Sequence, residues 1–328
     1  MKKIYSLVLI LTVLLFISSC NDEWEKEQYQ SYVSFKAPIN ERGVTRINVR
    51  YKSEGLVTYQ LPLIVSGTKT NDKDMTVHVA VDSDTLRTLN LERFQSRTDL
   101  YYQELGTSFF TMPETVNIKS GENTSLINID FSLKNIDLSE KWVLPLTIVD
   151  DPSYDYTAHP RKNYRKALLR VMPFNDYSGV YGGTALKSYL KGYENDAAIV
   201  KNEIIGYVKD ENTIFFYAGT IDEDRNDRRN YKIYVNFDKE SKKLTFTSDN
   251  PAMEFVMNKE PYFKIQENMD ATLPYLKHRY VTINNIDYNF TDYTSVPGFK
   301  IAYTVRGSLT LERKINTQIP DEDQAIEW

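Results

Sequence analysis

Lys300-Ile301-Ala302-Tyr303-Thr304-Val305-Arg306-Gly307-Ser308-Leu309-Thr310-Leu311 alternates between two chemistries. Ile301, Tyr303, Val305, Leu309 and Leu311 share one face; Lys300, Thr304, Arg306, Ser308 and Thr310 share the other. Period 2 marks a strand with one face buried and one wetted. Gly307 leaves a gap on the apolar face, which predicts a bulge or a close approach of backbone.

The same pattern recurs upstream. Thr45, Ile47, Val49 and Tyr51 alternate with Arg46, Asn48 and Arg50, and Val77, Val79 and Val81 alternate with Thr76, His78 and Ala80. Ile127, Ile129, Phe131 and Leu133 alternate with Asn128, Asp130 and Ser132. These are half-buried antiparallel strands, and the chain reads as all-β. One segment differs: Asp84-Thr85 is placed to cap a short helix carrying Leu86, Leu89 and Phe94. The runs Leu61-Pro62-Leu63-Ile64-Val65 and Leu144-Pro145-Leu146-Thr147-Ile148-Val149 echo each other. A proline inside an apolar run predicts an edge strand or a bulge. Pro173-Phe174-Asn175-Asp176, followed by the glycine-rich Tyr177-Ser178-Gly179-Val180-Tyr181-Gly182-Gly183, marks a boundary. We therefore expect an N-terminal domain over 32–174, a β-rich domain over 175–315 and a loose polar tail over 316–328.

The start of the chain has another meaning. Lys2 and Lys3 precede an apolar run over residues 7–17, then Ser18, Ser19 and Cys20, the only cysteine. That is the layout of a secretory signal peptide over 1–19, ending on a thiol that the lipoprotein pathway acylates. The run is too short to span a bilayer, which takes roughly 20 residues. The mature chain is thus expected to be held to a membrane by lipid at Cys20 and by nothing else. Residues 20–31 would form an acidic tether. Its Asp22, Glu23 and Glu25 resemble the export signal that carries Bacteroidota lipoproteins to the outer face of the outer membrane.

Loss of residues 1–19 takes two lysines and no acid, and moves the net charge from −5 to −7. A mildly acidic chain without a basic run is a poor partner for nucleic acid. With Cys20 acylated, no disulfide or thiolate metal site is available. A chain of 328 residues is long enough for two hydrophobic cores.

Across 32–175 a set of motifs stands in one order: Tyr59-Gln60-Leu61-Pro62-Leu63, Ser66-Gly67-Thr68, Val81-Asp82-Ser83-Asp84-Thr85-Leu86, Arg97-Thr98-Asp99-Leu100-Tyr101-Tyr102, Trp142-Val143-Leu144-Pro145-Leu146 and Tyr164-Arg165-Lys166-Ala167-Leu168. Together they resemble the N-terminal uncharacterised domain of Bacteroidota polysaccharide-utilisation surface lipoproteins. The second half opens on Tyr181-Gly182-Gly183 and ends on Arg306-Gly307-Ser308-Leu309-Thr310-Leu311-Glu312. It is similar to the β-rich domain that often follows. The resemblance implies an immunoglobulin-like β-sandwich, then an antiparallel β-barrel or β-sandwich. It also implies a glycan-binding accessory role like that of starch-utilisation outer-membrane lipoproteins, and no catalytic motif.

The residues agree with that role without specifying it. His78, His159 and His278 are scattered, and neither a metalloprotease His-Glu-x-x-His, a Gly-x-Ser-x-Gly elbow nor a phosphate loop is present. Asp222, Asp224 and Asn226 have the spacing of a calcium loop, but Asp227 and Ile233 stand where that loop needs Gly and Glu. They read as a charged hairpin tip, and no metal or cofactor is expected. His78 reads as a surface residue. Sugar rings stack on exposed aromatics while amides and carboxylates take the hydroxyls. Tyr189 and Tyr193 around Gly192, Tyr275 after Pro274 and Tyr293 beside Asp292 are the binding candidates by loop context. Tyr231 and Phe237, inside apolar alternation, are core. The expected function is a non-catalytic surface lipoprotein that binds a polysaccharide or oligosaccharide, with an outer-membrane transporter complex as a further partner. Two alternatives are an adhesin-type lipoprotein that binds another outer-membrane protein, and a glycoside hydrolase, whose two carboxylates need no sequence motif.

Overall fold

The computed structural model describes residues 29–40 and 42–328. Cys20, Asp22, Glu23 and Glu25 lie outside them. The first ten strands are β1 (Tyr32–Phe35), β2 (Thr45–Arg50), β3 (Val57–Ser66), β4 (Met75–Val81), β5 (Gln103–Glu104), β6 (Phe110–Thr111), β7 (Thr115–Ile118), β8 (Thr124–Phe131), β9 (Trp142–Ile148) and β10 (Lys166–Phe174). They form two sheets, β1-β3-β8-β6 and β2-β10-β9-β4-β7, with β5 on β9. The inward residues of both sheets, among them Ile47, Val49, Leu61, Leu63, Val77, Ile127, Ile129, Leu144 and Leu146, make one core. This is a β-sandwich, with the alternation in the sequence mapping onto its two faces.

Both prolines lie in central strands and not at sheet edges: β3 pairs β1 and β8, and β9 pairs β10 and β4. The reason is local. Pairing of β1 with β3 stops at Phe35↔Leu63, one residue short of Pro62. Pairing on one side of β9 passes from Leu146 on β4 to Val143 on β5, skipping Pro145. Each proline therefore sits where one neighbour ends, and its missing N–H breaks no ladder. The helix α1 (Ser83–Phe94) is capped by Asp82, two residues before the expected position, because the Asp82 carboxylate reaches Thr85 N at 3.2 Å. His78 is not a free surface residue; it stacks on Tyr154 with ring centroids 4.1 Å apart.

The remaining strands are β11 (Gly179–Gly182), β12 (Lys187–Leu190), β13 (Ile199–Val200), β14 (Glu203–Val208), β15 (Thr213–Tyr217), β16 (Lys232–Phe237), β17 (Leu244–Thr247), β18 (Val256–Met257), β19 (Tyr262–Met269), β20 (Leu276–Asp292), β21 (Ile301–Asn316) and β22 (Ile326–Glu327). The order β19-β20-β21-β11-β14-β15-β16-β17 runs antiparallel throughout, and a bridge between Lys243 and Tyr262 joins β17 to β19. The sheet thereby closes into a barrel, which removes its edges. Side chains fill the interior: Tyr177 stacks on Phe237 at 3.9 Å, Phe263 meets both edge-on, and Tyr231, Tyr288 and Phe290 are buried beyond them. Burying each such ring contributes about 1.5–3 kcal/mol.

Gly307 satisfies both halves of the sequence expectation. The chain between β11 and β12 crosses β21 there, and a Cβ on Gly307 would lie 1.9 Å from Ala185 O. The bulge is in the neighbouring strand, between Ile283 and Ile286 of β20, with Asn285 at φ 59°. It shifts the inward phase from Val281 and Ile283 to Ile286, Tyr288 and Phe290.

The two domains are locked by charge as well as by packing. Val208 of β14 is buried with the sandwich core. Glu223, from the hairpin between β15 and β16, takes Arg170 Nη2 at 3.0 Å, the Tyr207 hydroxyl at 2.9 Å and the Arg42 guanidinium. Lys141 Nζ meets Asp224 at 3.0 Å. The charged hairpin tip therefore docks on sandwich cations through Glu223 and Asp224, while Asp222 and Asp224 stay exposed.

Candidate functional site

Strand β2 ends its sheet, so Arg46, Asn48 and Arg50 project from an open edge beside Tyr59 and Gln60 of β3. Residues 317–328 close the other side. They are docked, contrary to the expectation of a loose tail. Ile326 and Glu327 pair with Ile315 and Lys314, and Ala325 and Ile326 are buried. A pair of apolar residues in a polar tail, followed by Trp, was the sequence signal for this docking.

The result is a groove of about 820 Å³ between sandwich edge and docked segment. It continues into a second recess of about 400 Å³ that shares Arg46, Asn48, Ile326 and Trp328. Trp328 is 56% exposed, yet its ring is fixed edge-on to Phe174, centroids 4.7 Å apart. Arg313 Cζ lies 5.5 Å from the Trp328 ring, and Arg50 Cζ lies 4.6 Å from Phe174. Such cation–π contacts hold the rings in place. Arg50 is itself anchored, with Nη1 2.8 Å from Asp176 and Nε 2.7 Å from Asp323. Arg313 is buried and donates to the carbonyls of Asn175 and Ser178 at 3.0 and 2.8 Å. Burial depresses its guanidinium to about 10. An indole face and a ring of amides and guanidinia in a concavity suit a ligand with alternating C–H and hydroxyl faces.

The four tyrosines do not converge there or on one another. Tyr275 and Tyr293 flank the two ends of β20, 17 residues long and so roughly 50 Å apart. Tyr293 is half-buried, packed against Tyr231, and its hydroxyl accepts from Asn250 Nδ2 at 2.8 Å. Tyr189 is in strand β12, not a loop, paired with Thr304. Tyr193, 63% exposed, follows on the next turn. Tyr189 shares the outer sheet face with Thr304, Asn289, Arg306 and Asp287. That face is polar but convergent: buried Asp287 accepts from Asn258 Nδ2 at 2.8 Å, with Lys259 Nζ at 3.3 Å.

Among the described residues no three His, Cys, Asp or Glu side chains gather to hold a metal. Asp222 Oδ1 is taken by Asp224 N at 3.0 Å, and Asp224 by Lys141. His278 lies between Glu312 at 2.5 Å and Asp270 at 3.0 Å; hydrogen bonding to these carboxylates raises its pKa.

The comparisons follow this architecture. A domain of unknown function, DUF4973, matches residues 24–152, and a family of C-terminal domains matches residues 165–310. A multidomain protein including DUF1735 from Bacteroides ovatus is 50% identical over 90% of this chain and 100% of its own, with a TM-score of 0.80. The chain belongs to this two-domain Bacteroides family. A second member, an auxiliary nutrient binding protein from Bacteroides thetaiotaomicron, is 49% identical over 92% of this chain and 100% of its own, with a TM-score of 0.82. A third, of unknown function and from Bacteroides ovatus, is 37% identical over 93% of this chain and 97% of its own, with a TM-score of 0.77. No protein of curated function matches.

Proposed function

We propose that the protein is a non-catalytic accessory of nutrient uptake that binds a polysaccharide or oligosaccharide in the groove at Trp328. The observation that carries this reading is an indole held rigidly, yet more than half exposed, in a concave polar surface. The likeness to an auxiliary nutrient binding protein supports the accessory role. In the larger recess both carboxylates are engaged, Asp323 by Arg50 and Asp321 by the N–H groups of Asp323 and Gln324. They therefore do not form a free acid–base pair, which supports binding without cleavage. An open groove gains little per ring, so micromolar or weaker affinity is expected, raised by avidity where many anchored copies meet one polymer.

Affinity electrophoresis against a polysaccharide panel tests it. Trp328→Ala should weaken retardation by about tenfold, the loss of one stacking contact of ~1.4 kcal/mol. Tyr275→Ala and Tyr293→Ala should leave it unchanged. Tyr189→Ala and Tyr193→Ala report on the outer sheet face; a loss there with Trp328→Ala silent would move the site. Tight capture of a membrane protein with no polymer retarded would favour the adhesin-type alternative, and release of reducing sugar would favour a hydrolase.

The same proposal places the protein on the outer membrane, facing outward and held by lipid. Among the described residues no helix is long and apolar enough to cross a membrane. A palmitate analogue should label the wild type and not Cys20→Ala. Replacing Asp22, Glu23 and Glu25 by Ala should keep the label but remove sensitivity to external protease. Equal labelling of both proteins would refute the anchor, and undiminished digestion would refute the export signal.

A further inference from the structure

We infer that the groove selects an acidic glycan, whose carboxylate or sulfate seats against Arg46 where the two recesses meet. The inference rests on the reading of the groove as a glycan site and names the class of glycan.

The charges in the groove are unevenly matched. Arg50 is neutralised by Asp176 and Asp323. Arg46, exposed on β2 and lining both recesses, makes no ion pair with any described residue. Lys52, further along the same wall, makes none either. Arg313, 4% exposed, has only carbonyl partners and lies behind the Trp328 ring. A guanidinium buried without a carboxylate is uncommon, since its desolvation is then uncompensated. Three further acids line the recesses, Asp321 in the larger and Glu312 and Glu327 in the smaller, and Glu312 is taken by His278. Asp321 caps its own turn, and Glu327 stands across from Lys314 in the β21–β22 pair.

The two recesses therefore share Arg46, a guanidinium that makes no ion pair, and Trp328, an exposed indole, with the Arg313 guanidinium behind that indole; Arg170 and Glu223 act on the Arg46 charge from the domain joint. The arrangement fits a sugar ring lying on Trp328 with its anionic substituent turned toward Arg46. A guanidinium fork binds a carboxylate or sulfate by paired charge-assisted hydrogen bonds. The chain as a whole carries a net charge of −5. Diffuse attraction to a polyanion is thus disfavoured, and binding would report the site.

Affinity electrophoresis with matched polymers tests the inference: polygalacturonate against its methyl ester for a carboxylate, and dextran sulfate against dextran for a sulfate. One acidic polymer should retard the wild type and its neutral counterpart should not. Arg46→Ala should weaken that retardation at least tenfold, Arg46→Lys should restore part of it, and raising salt from 0.05 to about 0.5 M should diminish it, as screening of an exposed ion pair requires. Lys264→Ala, on the barrel exterior, should have no effect. If neutral polymers are held equally well and Arg46→Ala is silent while Trp328→Ala abolishes binding, the acidic preference is overturned and the glycan site stands. If neither acidic nor neutral polymer is held, the glycan reading fails and this inference fails with it.

Discussion

Gly307→Ala is expected to cost more than about 4 kcal/mol, enough to unfold the barrel domain at room temperature. The added methyl carbon would sit 1.9 Å from Ala185 O, and that oxygen belongs to backbone, not to a flexible side chain. Relief requires the chain over residues 183–186 to lift off β21, which would separate β11 and β12 from the strand they both pair with. The φ of +140° adds strain that only glycine escapes. Gly55→Ala provides the control. Gly55 also has a positive φ, +84°, but nothing lies within 4 Å of its Cβ position. That variant should lose only about 1 kcal/mol, from backbone strain alone. Urea midpoints followed by far-UV circular dichroism separate the two. Equal midpoints would show that close approach does not set the cost at Gly307.

Glu223→Ala is expected to lose 3–5 kcal/mol, about the cost of stranding buried charge, and to uncouple the domains. Burial by itself would raise the Glu223 carboxyl; Arg170, Lys141 and Arg42 outweigh it and hold it down at about 2. Removing the carboxylate leaves Arg170 and the Tyr207 hydroxyl facing one another at the joint with no acceptor between them. Scanning calorimetry should show two transitions in place of one. The sign with pH follows from the depressed value. The carboxylate's stabilisation is complete above the unfolded-state pKa of about 4.3 and is lost as pH falls toward 2. Over that window the wild type should lose about 3 kcal/mol that Glu223→Gln does not lose. Parallel stability-versus-pH curves for the two proteins would show that the charge at Glu223 is not what couples the domains.

The class of fold is legible residue by residue, because period-2 alternation is a local property. Most residues of Thr45–Arg50, Thr124–Phe131 and Ile301–Asn316 show their face through their own polarity, with Leu126, Thr304 and Arg313 as exceptions. Gly307 was legible for the same reason: a missing side chain on an apolar face marks backbone contact wherever the partner comes from. Barrel closure was not legible, since it depends on one bridge between Lys243 and Tyr262 and on the pairing of β11 with β21, far apart in the chain. The prolines were misplaced because a strand's neighbours can end beside one residue, a fact of pairing and not of composition. The candidate groove was hidden for a related reason. Arg46, Phe174, Arg313 and Trp328 come from four distant segments, and each alone reads as an ordinary strand or tail residue. Only the tertiary structure shows that two apolar residues, Ala325 and Ile326, have enough burial to dock a polar segment. That docking turns a terminal stretch into one wall of a site.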